Sequence, residues 1–222
     1  MTNSLEYVCK YTPTPIDVDG KLEDQAWEKA DNIRFYVPKT LEAPISRTDA
    51  KLLWDDEFLY VGFRAYDKDI WSYLTEQNSQ TCSEDCLEIF FKPSETQDTY
   101  YNFEINALGT VYDAMTLKRG AGQHRWAMWD CENLKLAVKI KGDINNPSCV
   151  DEYWEMEIGI PFASLPSLKG TRPKPGDTWK FHVARYDYSI HLPYGVELSS
   201  CAPLSRIDFH YYEEWIPLRF EQ

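Results

Sequence analysis

Asp85-Cys86-Leu87-Glu88-Ile89-Phe90-Phe91 and Tyr100-Tyr101-Asn102-Phe103-Glu104-Ile105-Asn106-Ala107 read as two consecutive strands joined through Pro93 to Thr99. Alternate side chains of a strand point to opposite faces. Leu87, Ile89 and Phe91 therefore share one face of the first strand, and Phe103 and Ile105 make an apolar face on the second. The opposite faces carry Glu88, Asn102, Glu104 and Asn106, a row of carboxylates and carboxamides with no Lys or Thr among them. Such groups accept and donate several hydrogen bonds each. In so aromatic a chain, the row suits a ligand rich in hydroxyl groups.

Further strands extend outward from this pair. Lys51–Trp54 and Leu59–Tyr66 flank the turn Asp55-Asp56-Glu57, which is a hairpin signature. Thr110–Asp113, Leu134–Lys141, Tyr153–Ile158, Thr178–Tyr186 and Trp215–Phe220 are also strand-like. Asp19-Gly20 marks a turn, Glu23 to Ala30 a short helix carrying Trp27, and Ala163 to Leu165 at most one helical turn. Many short strands with almost no helix predict an all-β chain. The expected architecture is a single-domain antiparallel β-sandwich over residues 1–222, immunoglobulin-like or jelly-roll-like. The long aromatic loops Gly120 to Asp130 and Ser189 to Tyr212 are the expected walls of a pocket.

Bulk properties narrow the partners. The 222 residues are 43% hydrophobic, 27% charged and 15% aromatic, which is ordinary for a globular chain except for the aromatic excess. A formal net charge of −13 opposes nucleic acid and anionic membranes and permits neutral ligands or metal cations. No apolar run approaches the length of a membrane span. Met1 to Pro15 has neither a basic start nor an apolar stretch, so a cytoplasmic location is expected unless a leader has been removed. Cys9, Cys82, Cys86, Cys131, Cys149 and Cys201 are then expected to be reduced. No CxxC pair is present, and no His/Cys cluster accompanies Cys82 and Cys86, so the pattern does not predict zinc.

Six segments form a recognisable series. They are Ile16-Asp-Val-Asp-Gly-Lys-Leu-Glu-Asp-Gln-Ala-Trp27, Leu53-Trp-Asp-Asp-Glu-Phe-Leu-Tyr-Val-Gly-Phe63, Asp85-Cys-Leu-Glu-Ile-Phe-Phe91, Asn102-Phe-Glu-Ile-Asn-Ala-Leu-Gly109, Glu155-Met-Glu-Ile-Gly-Ile-Pro-Phe162, and Gly176-Asp-Thr-Trp-Lys-Phe181 with Arg185. Together they resemble family 9 carbohydrate-binding modules, and their order and spacing match that family over nearly the whole chain. The resemblance implies a β-sandwich of the broader sugar- and haem-binding type, which binds carbohydrate chain ends without transforming them. It also implies structural calcium and an attached glycoside hydrolase as a common partner. The family's sugar site resembles two Trp rings clamping a sugar, with acidic, amide and Arg groups reaching its hydroxyls. One clamp Trp of the family lies six residues before the strand Glu, a position that Cys82 occupies here. The other precedes a Pro in a late loop, where this chain has Ser199-Ser200-Cys201-Ala202-Pro203. The polar row is kept and the aromatic clamp is not.

The expected ligand-binding set is therefore Cys82, Glu88, Asn102, Glu104, Asn106, Arg185 and Cys201. Trp126, Trp129 and Tyr194 from the long loops would take over the stacking. Arg185 is expected to pair with Glu88 or Glu104. If Cys82 and Cys201 face each other, they either approach within disulfide reach or leave the cleft wider. The acidic turns with Asp55, Asp56, Asp67 and Asp69 are the calcium candidates. Two alternative functions stay open. Glu88 with Glu104 could serve as the carboxylate pair of a glycoside hydrolase. The fold could otherwise serve as a protein-interaction or haem-binding module that has lost its sugar, with Met115 or Met128 as a ligand.

Overall fold

The computed structural model describes residues 5–120 and 129–222. They form eleven strands: β1 (Tyr7–Tyr11), β2 (Thr48–Trp54), β3 (Phe58–Tyr66), β4 (Cys86–Lys92), β5 (Tyr100–Asn106), β6 (Val111–Thr116), β7 (Lys135–Lys141), β8 (Tyr153–Pro161), β9 (Thr178–Tyr188), β10 (Val196–Ser200) and β11 (Ile216–Glu221). Among the described residues the helical segments are short 3₁₀ turns. The expected helix around Trp27 is one of these, Gln25–Lys29.

Hydrogen bonding runs unbroken through one sheet in the order β6-β5-β4-β9-β11-β1-β2-β3-β8-β7, with β10 also on β9. The expectation of a wholly antiparallel fold needs correction at β1. Tyr7 pairs with Leu218 and Lys10 with Leu53, both in parallel ladders. A strand that reaches its neighbours through long connections is free to run parallel to them, whereas a tight hairpin forces the antiparallel sense. The other pairs are antiparallel.

The sheet curls, so both of its arms supply one core. That cluster joins Leu87, Ile89, Phe91, Phe103 and Ile105 from one arm to Leu52, Val61, Phe63, Met156 and Ile158 from the other. The apolar face read from β4 and β5 is thus the core face. A smaller cluster of Ile16, Trp27, Leu53, Phe58 and Tyr60 lies beneath the N-terminal segment. There the buried Glu157 accepts hydrogen bonds from Trp27 Nε1 at 2.8 Å and from the Asp19 and Gly20 amides at 3.0 Å each. Gly20 has φ +85°, so the Asp19-Gly20 turn depends on a residue without a Cβ.

Candidate binding site

The β4–β5 register sets Glu88 opposite Glu104, Phe90 opposite Asn102 and Cys86 opposite Asn106. On its other side β4 pairs with β9, which brings His182, Ala184 and Tyr186 to the same face. The polar row therefore exists as read, but it is covered: Glu88 is 3% exposed, and Asn102, Glu104 and Asn106 are also buried. Both faces of β4 and β5 are buried along their whole length.

Bonding divides the row. Asn106 donates to Leu74 O at 2.8 Å and to Glu84 Oε2 at 3.0 Å, and its Oδ1 accepts from the Leu108 and Thr110 amides. It holds the turn after β5 against the irregular segment that leads into β4. Asn102 donates to Glu104 Oε1 at 2.8 Å. Glu88 Oε2 and Asn102 Oδ1 are shielded from solvent and have no hydrogen-bond partner among the described residues. Buried acceptors left unpaired are rare and costly, and a bound group would relieve them.

Burial, with Glu104 alongside, raises the Glu88 carboxyl well above its ordinary range. Burial also raises Glu104, against the lowering effect of hydrogen bonds from Cys82 and Asn102. The Cys82 thiol is pushed up to about 12 by burial and then by the two carboxylates, and the Tyr112 hydroxyl to about 12, chiefly by burial. Low dielectric disfavours every charged form here. A protonated carboxyl offers a donor as well as acceptors, so the row can meet hydroxyl groups in either role.

Aromatic rings continue from both ends of the row. Tyr186 and Tyr188 stack with centroids 6.4 Å apart, and Trp71 lies 6.3 Å from Tyr188 and 5.7 Å from Tyr73. Tyr188 donates its hydroxyl to Cys82 O at 3.0 Å, which ties this group to the row. Trp71, Tyr73, Tyr188 and Ile190 help line a groove of about 430 Å³. At the other end Phe90, His182, Phe209 and Trp215 pack together. The sequence reading missed Trp71, Tyr73, Tyr186 and Tyr188. The alternating Tyr186 and Tyr188 were a detectable signal, because they prolong the face of β9 that carries Ala184 opposite Glu88.

Several expected site residues lie elsewhere. Arg185 pairs across β4 with Leu87, so it points to the face opposite Glu88. It does not pair with Glu88 or Glu104. It donates to Asp67 Oδ2 at 2.8 Å, Asp187 Oδ1 at 2.9 Å and Tyr66 O at 2.9 Å, and it is fully buried. Trp129 packs on Tyr101 and Phe103, also on the core face, and donates to Ser164 O. It supports the core instead of stacking over the polar row. Cys201 is buried, accepts the Val183 amide at 3.2 Å and lies 3.9 Å from His182 Nδ1. It is a packed core thiol rather than a cleft wall, while Cys82 is half-buried beside Glu104, and both are free thiols. Tyr194 is 91% exposed, next in sequence to Gly195 of the aromatic groove. Trp126 and Met128 lie outside the described residues, and Met115 packs on the core.

The acidic turns sit at opposite ends of β3. Asp55 accepts from the Glu57 and Phe58 amides and from Tyr60 OH, and Asp56 from Tyr11 OH with an ion pair to Arg172. Asp69 accepts from Ser189 OH and the Ile190 amide. Asp67, Asp85 and Asp187 bring carboxylate oxygens within 4.8 Å of one another, with Arg185 as the cation among them.

The chain belongs to the family described as carbohydrate family 9 binding domain-like, whose model matches residues 18–187. Relatives occur within much larger enzymes. Endo-1,4-beta-xylanase C of Paenibacillus barcinonensis is 34% identical over 90 residues, 40% of this chain and 8% of that protein. Exoglucanase XynX of Acetivibrio thermocellus is 25% identical over 158 residues, 71% of this chain and 12% of that protein. The fold is similar to that of a candidate carbohydrate-binding protein of Bacteroides uniformis ATCC 8492, with TM-score 0.75 and 14% identity, covering 98% of this chain and 100% of that one. It is also similar to a family 9 module of Caldicellulosiruptor kristjanssonii solved with cellotriose, with TM-score 0.63 and 16% identity, covering 98% and 94% of the two chains.

Proposed function

We propose that the protein binds carbohydrate without transforming it, in the setting of polysaccharide breakdown. The observation that carries this reading is the row of Glu88, Asn102 and Glu104, with two unpaired buried acceptors, in a chain of this family. Sugar hydroxyls supply the missing donors, and pyranose C–H faces pack on aromatic rings. Tyr186, Tyr188 and Trp71 are the rings best placed to take over from the family's clamp. The two facing arms of the curled sheet are read as the layers of the family's β-sandwich, and a glycoside hydrolase as the partner that benefits from the targeting.

The test is calorimetry with cello- and xylo-oligosaccharides, run with and without calcium because the Asp67–Asp69 turn offers oxygen ligands of calcium's type. Binding is expected to weaken by about tenfold or more in Glu104→Ala, which leaves Asn102 without its carboxylate partner. Absence of heat with every mono- and oligosaccharide would overturn the proposal. The hydrolase alternative draws on the closeness of Glu88 and Glu104. They stand side by side on one sheet face, whereas glycosidase carboxylates flank the scissile bond. Turnover of an aryl glycoside that is lost in Glu88→Gln would establish it.

A further inference from the structure

Cys82, Glu88 and Glu104 each bring one ligand-type atom to a common point, with the sulfur and two carboxylate oxygens within 4.8 Å of one another. They arrive from three places: the 3₁₀ turn Thr81–Ser83, β4 and β5. The turn is pinned to the strand, because Thr81 donates its hydroxyl to Glu104 O at 3.1 Å and Cys82 O accepts from Tyr188 OH. A second observation falls on the same Glu88 carboxylate. Glu88 Oε2, on a side chain 3% exposed, has no hydrogen-bond partner among the described residues.

We propose that Cys82, Glu88 and Glu104 form a binding site for a thiophilic divalent metal of the zinc class. A thiolate with two carboxylates matches zinc's preference for mixed S and O donors. A thiolate is foreign to calcium and magnesium, which take oxygen ligands. Three protein ligands leave the fourth tetrahedral position to water. As the metal enters, the Cys82 thiol proton leaves to the buffer, and no oxidant or reductant is needed. The site does not rest on the carbohydrate reading, because metal binding is measured with no sugar present.

The experiment titrates the reduced protein with Co²⁺ as a spectroscopic stand-in and then displaces it with Zn²⁺. A near-ultraviolet thiolate-to-cobalt charge-transfer band is expected at one equivalent and is removed by Zn²⁺. Cys82→Ser abolishes the band, and Glu104→Gln weakens Co²⁺ binding by about tenfold or more. Cys149→Ser leaves both unchanged. Because a variant can disturb the turn, the wild-type protein is also alkylated with iodoacetamide and mapped by mass spectrometry, and Zn²⁺ is expected to slow labelling of Cys82. A wild-type protein with no band, a band that survives Cys82→Ser, or Cys82 labelling indifferent to Zn²⁺ would each overturn the site.

Discussion

Arg185 shows how one residue is legible in type and not in role. Its placement on β9 near β4 followed from the pattern, but the parity of the β4–β9 register turned it to the core face. There it is the cation among Asp67, Asp85 and Asp187. Removing one partner of a buried ion network leaves uncompensated charge. Arg185→Met is expected to destabilise the fold by about 3–5 kcal/mol in urea unfolding. Sugar affinity of the remaining folded protein should be unchanged. Loss of affinity with unchanged stability would return Arg185 to the binding site. Trp129 and Cys201 moved to the core for the same kind of reason. A loop residue's side is set by how the loop folds back, and no local periodicity records that.

Strands were the most readable elements, because alternation in β4 and β5 reports the core face directly. Their second face was not readable. Polar side chains there suggested a solvent-facing row, whereas the fold buries Glu88, Asn102, Glu104 and Asn106 beside the turn Thr81–Ser83. The parallel pairing of β1 was hidden for a similar reason, since a strand's sequence does not name its neighbours. On β3, the place of Gly62 is explained only by packing across elements. A Cβ there would stand 2.4 Å from Leu22 Cδ2 and 3.1 Å from Trp27 Cζ2. Gly62→Ala should cost about 1–3 kcal/mol in denaturant unfolding through overpacking. Adding Leu22→Ala should cost less than the sum of the two single changes, since they share the clash. Strict additivity would show that the N-terminal segment does not press on β3.

The whole molecule carries an unusual number of buried acids, and their direction sets its response to pH. Burial raises Asp67 to about 7, and it also raises Asp85, Asp113 and Glu157. In the unfolded chain such groups titrate near 4. Between these values the native state holds protons that the unfolded state has lost. Stability is therefore fully present at low pH and is lost as pH rises through the raised values, by about 1.4 kcal/mol per pH unit for each proton. His182 opposes this. Burial lowers it to about 3, so below about 6.5 the unfolded chain gains a proton that the native state refuses. The carboxyls outnumber it, and the formal charge of −13 also relaxes on acidification. The melting temperature is expected to rise from pH 7.5 to pH 5. A flat or falling profile would mean that these acids are ionised in the folded protein.

Residue order alone carried the all-β class, the core face of the central strands, the polar row and the family, since each depends on alternation or on motifs along the chain. The curl, the parallel β1 and the burial of the row required the folded molecule, as did the place of Arg185 in the core and the meeting of Cys82 with Glu88 and Glu104. These depend on which distant segments meet and on which side they present. That is fixed by the joint packing of the whole sheet, a property no local stretch of sequence possesses.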